Sequence, residues 1–213
     1  MIIVKPSYKI LTEIDGKKEL QHIEKIARVC YKSEDKIDQS GESAKKIVGA
    51  LLLRGHEAMI EHSSLSVKFI IDRGITHELV RHRIASFAQE STRYCNYSGD
   101  KFSNQITVIE PYFYKKNPTK YEIWKKAMEE AENAYFALIK AGSTPQEARS
   151  VLPNSLKTEI TITANYREWR NIFKLRCAPD AHPQCREILI PLLKELQSKI
   201  PLIFDGIKIG EIN

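Results

Sequence analysis

The chain has 213 residues, 42% hydrophobic and 28% charged, which is enough for one sizeable core and too little for two comfortable ones, so a single domain over residues 1–213 is expected. No apolar run approaches the roughly 18 residues of a membrane span, and the start, Met1-Ile2-Ile3-Val4-Lys5-Pro6, lacks the basic segment and long apolar stretch of a signal peptide; a cytoplasmic protein with no membrane partner is expected. The formal charge of +6 suits nucleic acid and phosphorylated small molecules equally. Cys30, Cys95, Cys177 and Cys185 form no Cys-x-x-Cys pair, so they are expected to be free thiols.

In chain order, Ser7 to Ile14 reads as a short strand and Lys17 to Tyr31 as a helix with Leu20, Ile23, Ala27 and Cys30 on one face. Ser33 to Ser43 is polar loop. A second helix runs from about Glu42 to Arg54 and stops at Gly55. Leu65, Val67, Phe69 and Ile71 then alternate with Ser64, Ser66, Lys68 and Ile70, a strand buried on one face. Thr76 is placed to cap a helix bearing His77 to Arg81, followed by loop.

Gln105 to Ile109 reads as a strand ended by Pro111, and Tyr121 to Ala141 as a long helix with Trp124, Ala127, Met128, Ala131, Tyr135, Leu138 and Ile139 on one stripe. Thr144-Pro145-Gln146-Glu147 combines a capping box with proline at the first helical position, giving a short helix through Leu152. Leu156, Thr158, Ile160 and Ile162 share one strand face, and Asn165 caps a helix bearing Trp169, Ile172 and Phe173. A loop with Pro179, Asp180, His182 and Pro183 leads to a last helix with Ile188, Leu189, Leu192, Leu193 and Leu196, kinked at Pro191. The mixture of helices and strands, without repeats or linkers, describes one α/β domain.

The densest chemistry lies in Arg81-His82-Arg83-Ile84-Ala85-Ser86-Phe87-Ala88-Gln89-Glu90-Ser91-Thr92-Arg93-Tyr94. Its arginines offer planar donor forks for phosphate or carboxylate, and the hydroxyls complete such a cradle, so an anionic ligand is expected here. A basic helix end followed by a polar turn would account for any one Arg-His-Arg. A nucleic-acid-binding protein would use the same arginines on phosphates, but only Phe87, Tyr94 and Tyr97 stand near them as stacking partners. A metal-dependent hydrolase built on His56, Glu61, His62 and His82 is opposed by spacing. His56 and His62 are six residues apart and His77 and His82 five, whereas a helical zinc pair needs four.

Arg81-His82-Arg83, seven residues, then Ser91, followed by Arg93-Tyr94, resembles the signature of the flavin-dependent thymidylate synthases, the ThyX family. Further elements of that family stand in order along the chain: Gly55-His56 with Glu61-His62; Ala148-Arg149 leading to Leu152-Pro153; Asn165 and Arg167 with Asn171; and Leu175-Arg176. The resemblance extends from about Gly55 to the end. It departs at Ala58, where the family carries Ser or Thr, and at Gln89-Glu90, where many relatives have Glu followed by another residue.

The resemblance implies an α+β fold around a central, mostly antiparallel sheet flanked by helices, and reductive methylation of dUMP to dTMP. Methylenetetrahydrofolate would be the carbon donor and NADPH the reductant of FAD, with hydride passed from reduced flavin to the pyrimidine. It assigns His56, Ala58, Glu61, Arg81, His82, Arg83, Gln89, Asn165, Arg167 and Asn171 to the flavin. To the nucleotide it assigns Glu78, Arg81, Gln89, Glu90, Ser91, Thr92, Arg93, Arg149 and Arg176. Arg93 and Ser91 would hold phosphate, and Arg176 would meet the uracil ring and act in catalysis. It further implies a homotetramer with active sites shared between subunits, with no metal and no nucleic acid.

Overall fold

The computed structural model describes residues 1–99 and 104–210. At its centre lies a four-stranded sheet in the order β2-β3-β6-β4, formed by β2 (Ser7–Ile10), β3 (Ser64–Asp72), β4 (Ala85–Gln89) and β6 (Lys157–Asn165), with every neighbouring pair antiparallel. The shorter β1 (Ile2–Val4) and β5 (Thr107–Ile109) pair in parallel. The expected antiparallel α/β architecture is therefore present.

Register follows from the period-two pattern. Val67 stands opposite Ile162 and Phe69 opposite Ile160, while Phe87 of β4 meets Ile162 from the other side. That face is sealed by α1 (Gly16–Val29), α2 (Glu42–Leu53), α6 (Tyr166–Arg176), α7 (Pro183–Lys199) and α8 (Pro201–Phe204), through Ile23, Val48, Trp169, Phe173, Leu192 and Phe204. Trp169 stacks on Phe173 at 5.6 Å between centroids, and its indole N–H donates to the Leu65 carbonyl at 3.0 Å. The opposite face carries Ser66, Lys68, Thr161, Thr163 and Ser86, with Ser66 and Thr163 hydroxyls 2.8 Å apart.

A second core lies under α4 (Pro118–Lys140) and the short α5 (Pro145–Ala148), where Trp124, Met128 and Tyr135 pack with Tyr97, Ile106 and Val108. Asn117 caps α4 through the Lys120 N–H at 3.1 Å, with Pro118 at the first position. The apolar stripe is narrower than expected, because Ala127 is exposed. Cys30 is likewise exposed, as it lies past the last turn of α1. Helix α7 continues through Pro191, which has no N–H to give to the carbonyl one turn earlier.

Two expectations around the arginine-rich segment are corrected. The helix there is α3 (Arg73–Leu79), capped by Asp72 through the Ile75 N–H at 2.9 Å, and not by Thr76. Thr76 lies inside the helix, where its hydroxyl donates to the Arg73 carbonyl, and the helix ends before Arg81. The segment expected as loop after Arg83 is β4. Its Ala85, Phe87 and Gln89 turn toward the core while Ser86 and Ala88 face out.

Candidate active site

The turn between α3 and β4 presents Arg81 and Arg83 as exposed guanidiniums and buries His82, only 5% exposed, between them. Arg81 donates from Nε to the His77 carbonyl at 3.2 Å. His82 lies at the middle of a chain of side-chain contacts. Its Nδ1 is 2.9 Å from Glu168 Oε1, and its Nε2 is 3.2 Å from Arg176 Nε. Arg176 also donates to the Glu78 carboxylate at 2.5 Å and the Glu78 carbonyl at 2.9 Å. Guanidinium is a donor only, so His82 Nε2 accepts, and the single imidazole proton sits on Nδ1 and is donated to Glu168. Burial pushes the His82 pKa below its ordinary value and the Arg176 charge adds to this, outweighing the raising effect of Glu168. The ring is neutral.

This chain of contacts joins two clefts. The first, about 440 Å³, is lined by Glu57, Glu61, Ile84, Asn165, Arg167, Glu168, Asn171 and Lys174. Asn165 uses its side-chain oxygen to cap α6 at the Glu168 N–H, 2.8 Å away, leaving its amide NH₂ for other contacts. Asn171 donates to Glu168 at 3.2 Å. Arg167 pairs with Glu61 at 2.5 Å, and that carboxylate holds its pKa above the ordinary value. The second cleft, about 490 Å³, is lined by Glu78, Leu175, Arg176, Asp180, Ala181, His182 and Pro183.

Gln89 and Glu90 belong to a third cleft, on the open sheet face with Lys68, Lys157, Glu159 and Thr161. The Gln89 amide donates to Thr76 Oγ1 at 3.1 Å, and Glu90 takes the Lys157 ammonium at 3.0 Å and the Tyr97 hydroxyl at 3.2 Å. Burial works against the Lys157 charge, but its hydrogen bonds to Glu90 and Glu159 prevail and raise its pKa.

Ser91 Oγ accepts the Arg93 backbone N–H at 3.3 Å, and the Arg93 guanidinium lies 5.4 Å from the centre of the exposed Tyr94 ring. Arg149, reaching out of the turn after α5, donates to Thr92 Oγ1 at 3.3 Å. Arg149 and the segment 91–93 are thus brought together although 57 residues separate Thr92 from Arg149. His56 and Ala58 are exposed at the start of a 3-10 turn over Glu57–His62. His56 and Ala58 line none of these three clefts.

Two residues absent from the expectations stand inside the first cleft. Glu57 takes Arg170 at 3.1 Å, with Arg167 and Lys174 each 3.9 Å away. Glu168 bridges His82 and Asn171. Its sequence signal was the Asn165-x-x-Glu168 capping pattern, which indicates a helix start and not a contact to a turn 86 residues earlier.

The thiols of Cys177 and Cys185 are buried and each pushed up to about 12 by that burial. Among the described residues no group of three or more His, Cys, Asp or Glu side chains is disposed to hold a metal ion, and no helix is long and apolar enough to cross a membrane.

Known proteins resemble this chain in sequence and in fold. The family profile described as "Thymidylate synthase complementing protein" matches residues 11–202. A flavin-dependent thymidylate synthase of Geobacter sulfurreducens is 33% identical over 185 residues, which cover 84% of this chain and 77% of that protein. One from Thermococcus onnurineus is 35% identical over 187 residues, covering 84% and 75%. Among solved structures, a UMP/dUMP methylase PolB from Streptomyces cacaoi, bound with 5-Br dUMP, superposes with a TM-score of 0.80 over 96% of both chains at 20% identity, which establishes the likeness of fold. With its profile matched over almost its whole length and relatives above 30% identity across most of it, this chain belongs to the flavin-dependent thymidylate synthase family.

Proposed function

We propose that this chain, acting as one domain, converts dUMP to dTMP by reductive methylation, with methylenetetrahydrofolate as carbon donor, NADPH as reductant and FAD as redox carrier. The observation that carries this reading is the Arg176 hub. One guanidinium, anchored on His82 and Glu78, stands between a cleft rich in amides and cations and a second cleft open beside Glu78 and His182.

The first cleft fits a flavin nucleotide by its donor set. The amide groups of Asn165 and Asn171 suit a polar ring system, while Arg167, Lys174 and the exposed Arg81 and Arg83 suit a pyrophosphate. Glu61 and Glu57 hold the Arg167 fork in place. FAD, when bound, supplies the hydride chemistry that no amino-acid side chain provides. In the second cleft, Arg176 has N–H donors beyond the three it uses, and these suit a uracil carbonyl on which negative charge develops. Ser91, Thr92, Arg93 and Arg149 form a hydroxyl and guanidinium cradle that suits the 5′-phosphate. Ser91 acts there as a ligand: among the described residues no base is hydrogen-bonded to its hydroxyl, as a nucleophilic serine would require.

The active unit is proposed to be a homotetramer in a cytoplasmic setting, with sites assembled from more than one subunit. The exposure of Arg81, Arg83 and Arg93 on the single chain supports this assembly. The test is the visible spectrum of the purified protein together with a dTMP assay. The expected protein is yellow or takes up FAD, oxidises NADPH slowly alone, and forms dTMP when dUMP and methylenetetrahydrofolate are present. A colourless protein that cannot be reconstituted with FAD refutes the reading.

A further inference from the structure

A glutamate at the third position of a helix ordinarily reaches back to the N-cap N–H. Glu168 occupies that position in α6, but its carboxylate, on a residue 7% exposed, turns to His82 Nδ1 at 2.9 Å and to the Asn171 amide at 3.2 Å. We propose that Glu168 is a positioning residue: by fixing the proton of His82 on Nδ1 it keeps Nε2 an acceptor for Arg176 and so sets the direction in which that guanidinium faces the nucleotide. The proposal rests on the assignment of Arg176 to the uracil ring made above.

The argument is one of donors and acceptors. Arg176 Nε carries a hydrogen at every accessible pH, and it points at His82 Nε2 from 3.2 Å. That contact is a hydrogen bond only while Nε2 is bare. The Glu168 carboxylate makes it so, since a carboxylate at Nδ1 stabilises the Nδ1–H form of the ring. Without Glu168, nothing among the described residues receives the Nδ1 proton. The Nε2–H form then becomes accessible, and it sets two N–H groups against each other. Arg176 loses that anchor and keeps only those on Glu78, a side chain more exposed than its own. Glu168 and Arg176 share one helix while His82 belongs to the arginine-rich turn, so the same contact holds that turn in register with α6.

Glu168→Ala removes the acceptor at Nδ1, whereas Glu168→Gln keeps one in its amide oxygen. The tautomer of His82 is read by long-range 15N–1H NMR of histidine-labelled protein, with dUMP affinity measured by calorimetry, flavin content by absorbance, and turnover at saturating dUMP. The parent is expected in the Nδ1–H form. Glu168→Gln should keep that form and bind dUMP within about threefold of the parent, while Glu168→Ala should gain the Nε2–H form and lose about tenfold or more in affinity, the worth of one hydrogen bond to a charged group. Turnover of Glu168→Ala should fall as well.

A merely structural role would lower the melting temperature and leave tautomer and affinity unchanged, which overturns the proposal. So does a parent in the Nε2–H form, or a Glu168→Gln variant in that form, and these two results hold even where Glu168→Ala does not fold. A folded parent that binds no dUMP removes the nucleotide assignment itself, and the proposal falls with it.

Discussion

Replacing Arg176 by alanine separates its structural from its chemical contribution. Its guanidinium donates to Glu78 Oε2 at 2.5 Å, to the Glu78 carbonyl at 2.9 Å and to His82 Nε2 at 3.2 Å. The Arg176 and Glu78 side chains are 20% and 39% exposed, so solvent screens the pair and its loss is worth about 1 kcal/mol or less. Leaving the buried His82 nitrogen without a donor adds about 1–2 kcal/mol. The combined cost of about 1–3 kcal/mol lowers Tm by roughly 2–12 °C for a chain of this size and leaves the protein folded at 20 °C. Turnover should suffer far more, because a positioned cation facing developing negative charge is worth roughly 10²–10³ in rate. The assay is dTMP formation at saturating dUMP, at a temperature where circular dichroism shows the variant folded and absorbance shows it loaded with FAD. Turnover within about threefold of the parent under those conditions would contradict an effect of that size and refute the assignment of Arg176 to the reacting ring.

Ser91→Ala should keep turnover at saturating dUMP and bind the nucleotide roughly ten- to a hundred-fold more weakly, as for loss of one hydrogen bond to phosphate; an inactive variant with parental affinity would make Ser91 a nucleophile. Because the folded pKa of His82 lies below its ordinary value of 6.5, the unfolded chain binds the extra proton first, and stability present above that value is lost as pH falls below it. Urea titrations from pH 7.5 to pH 5.5 should show a decline that a His82→Asn variant lacks, and parallel declines in both proteins would assign the loss to other groups. Asp72→Ala removes both the cap of α3 and the acceptor for the Gln184 amide at 2.9 Å, so Tm should fall by several degrees for a loss of about 1–3 kcal/mol; an unchanged Tm would mean that the cap is dispensable.

Much of the fold was legible because apolar periodicity was strong where burial is complete. Strands β3 and β6 alternate apolar and polar residues over most of their length, with Ile70 and Thr158 as the exceptions, and helices α1, α6 and α7 announce themselves by stripes and caps. What escaped had specific causes. Strand β1 is three residues long, too short for any period to declare itself. Strand β4 has the alternation, with Ala85, Phe87 and Gln89 on one side, but the inward glutamine made it read as polar loop. Gln89 is tolerated there because Thr76 and Thr158 receive its amide at 3.1 and 3.4 Å, an accommodation that involves two other elements and is invisible locally. Thr76 was mistaken for a cap because Asp72 ends a strand and starts a helix with no residue between them.

The site was legible in a different way, and the difference is physical. The arginines and asparagines that line the clefts, Arg167, Arg176, Asn165 and Asn171, were expected there, because guanidinium and amide groups stand out in a sequence as binding chemistry. Two of the carboxylates that hold them were not. Glu57 beside Arg167, Arg170 and Lys174, and Glu168 on His82, are ordinary helix or turn residues until the fold brings their partners to them, whereas Glu61 and Glu78 were expected at the site from the family resemblance. Each shortens the list of directions a cation or ring can adopt, and a guanidinium held by two or three fixed acceptors loses little further entropy when a ligand arrives. The cost of that ordering is met in the folding of the chain and not in the binding step, so the orientation of these cations depends on the carboxylates beside them. An alanine substitution at Glu57 should therefore weaken flavin retention without removing any donor from the cleft, and a Glu57→Ala protein that retains FAD as tightly as the parent through repeated dilution would show that Arg167 and Lys174 are held well enough by Glu61 and the backbone alone.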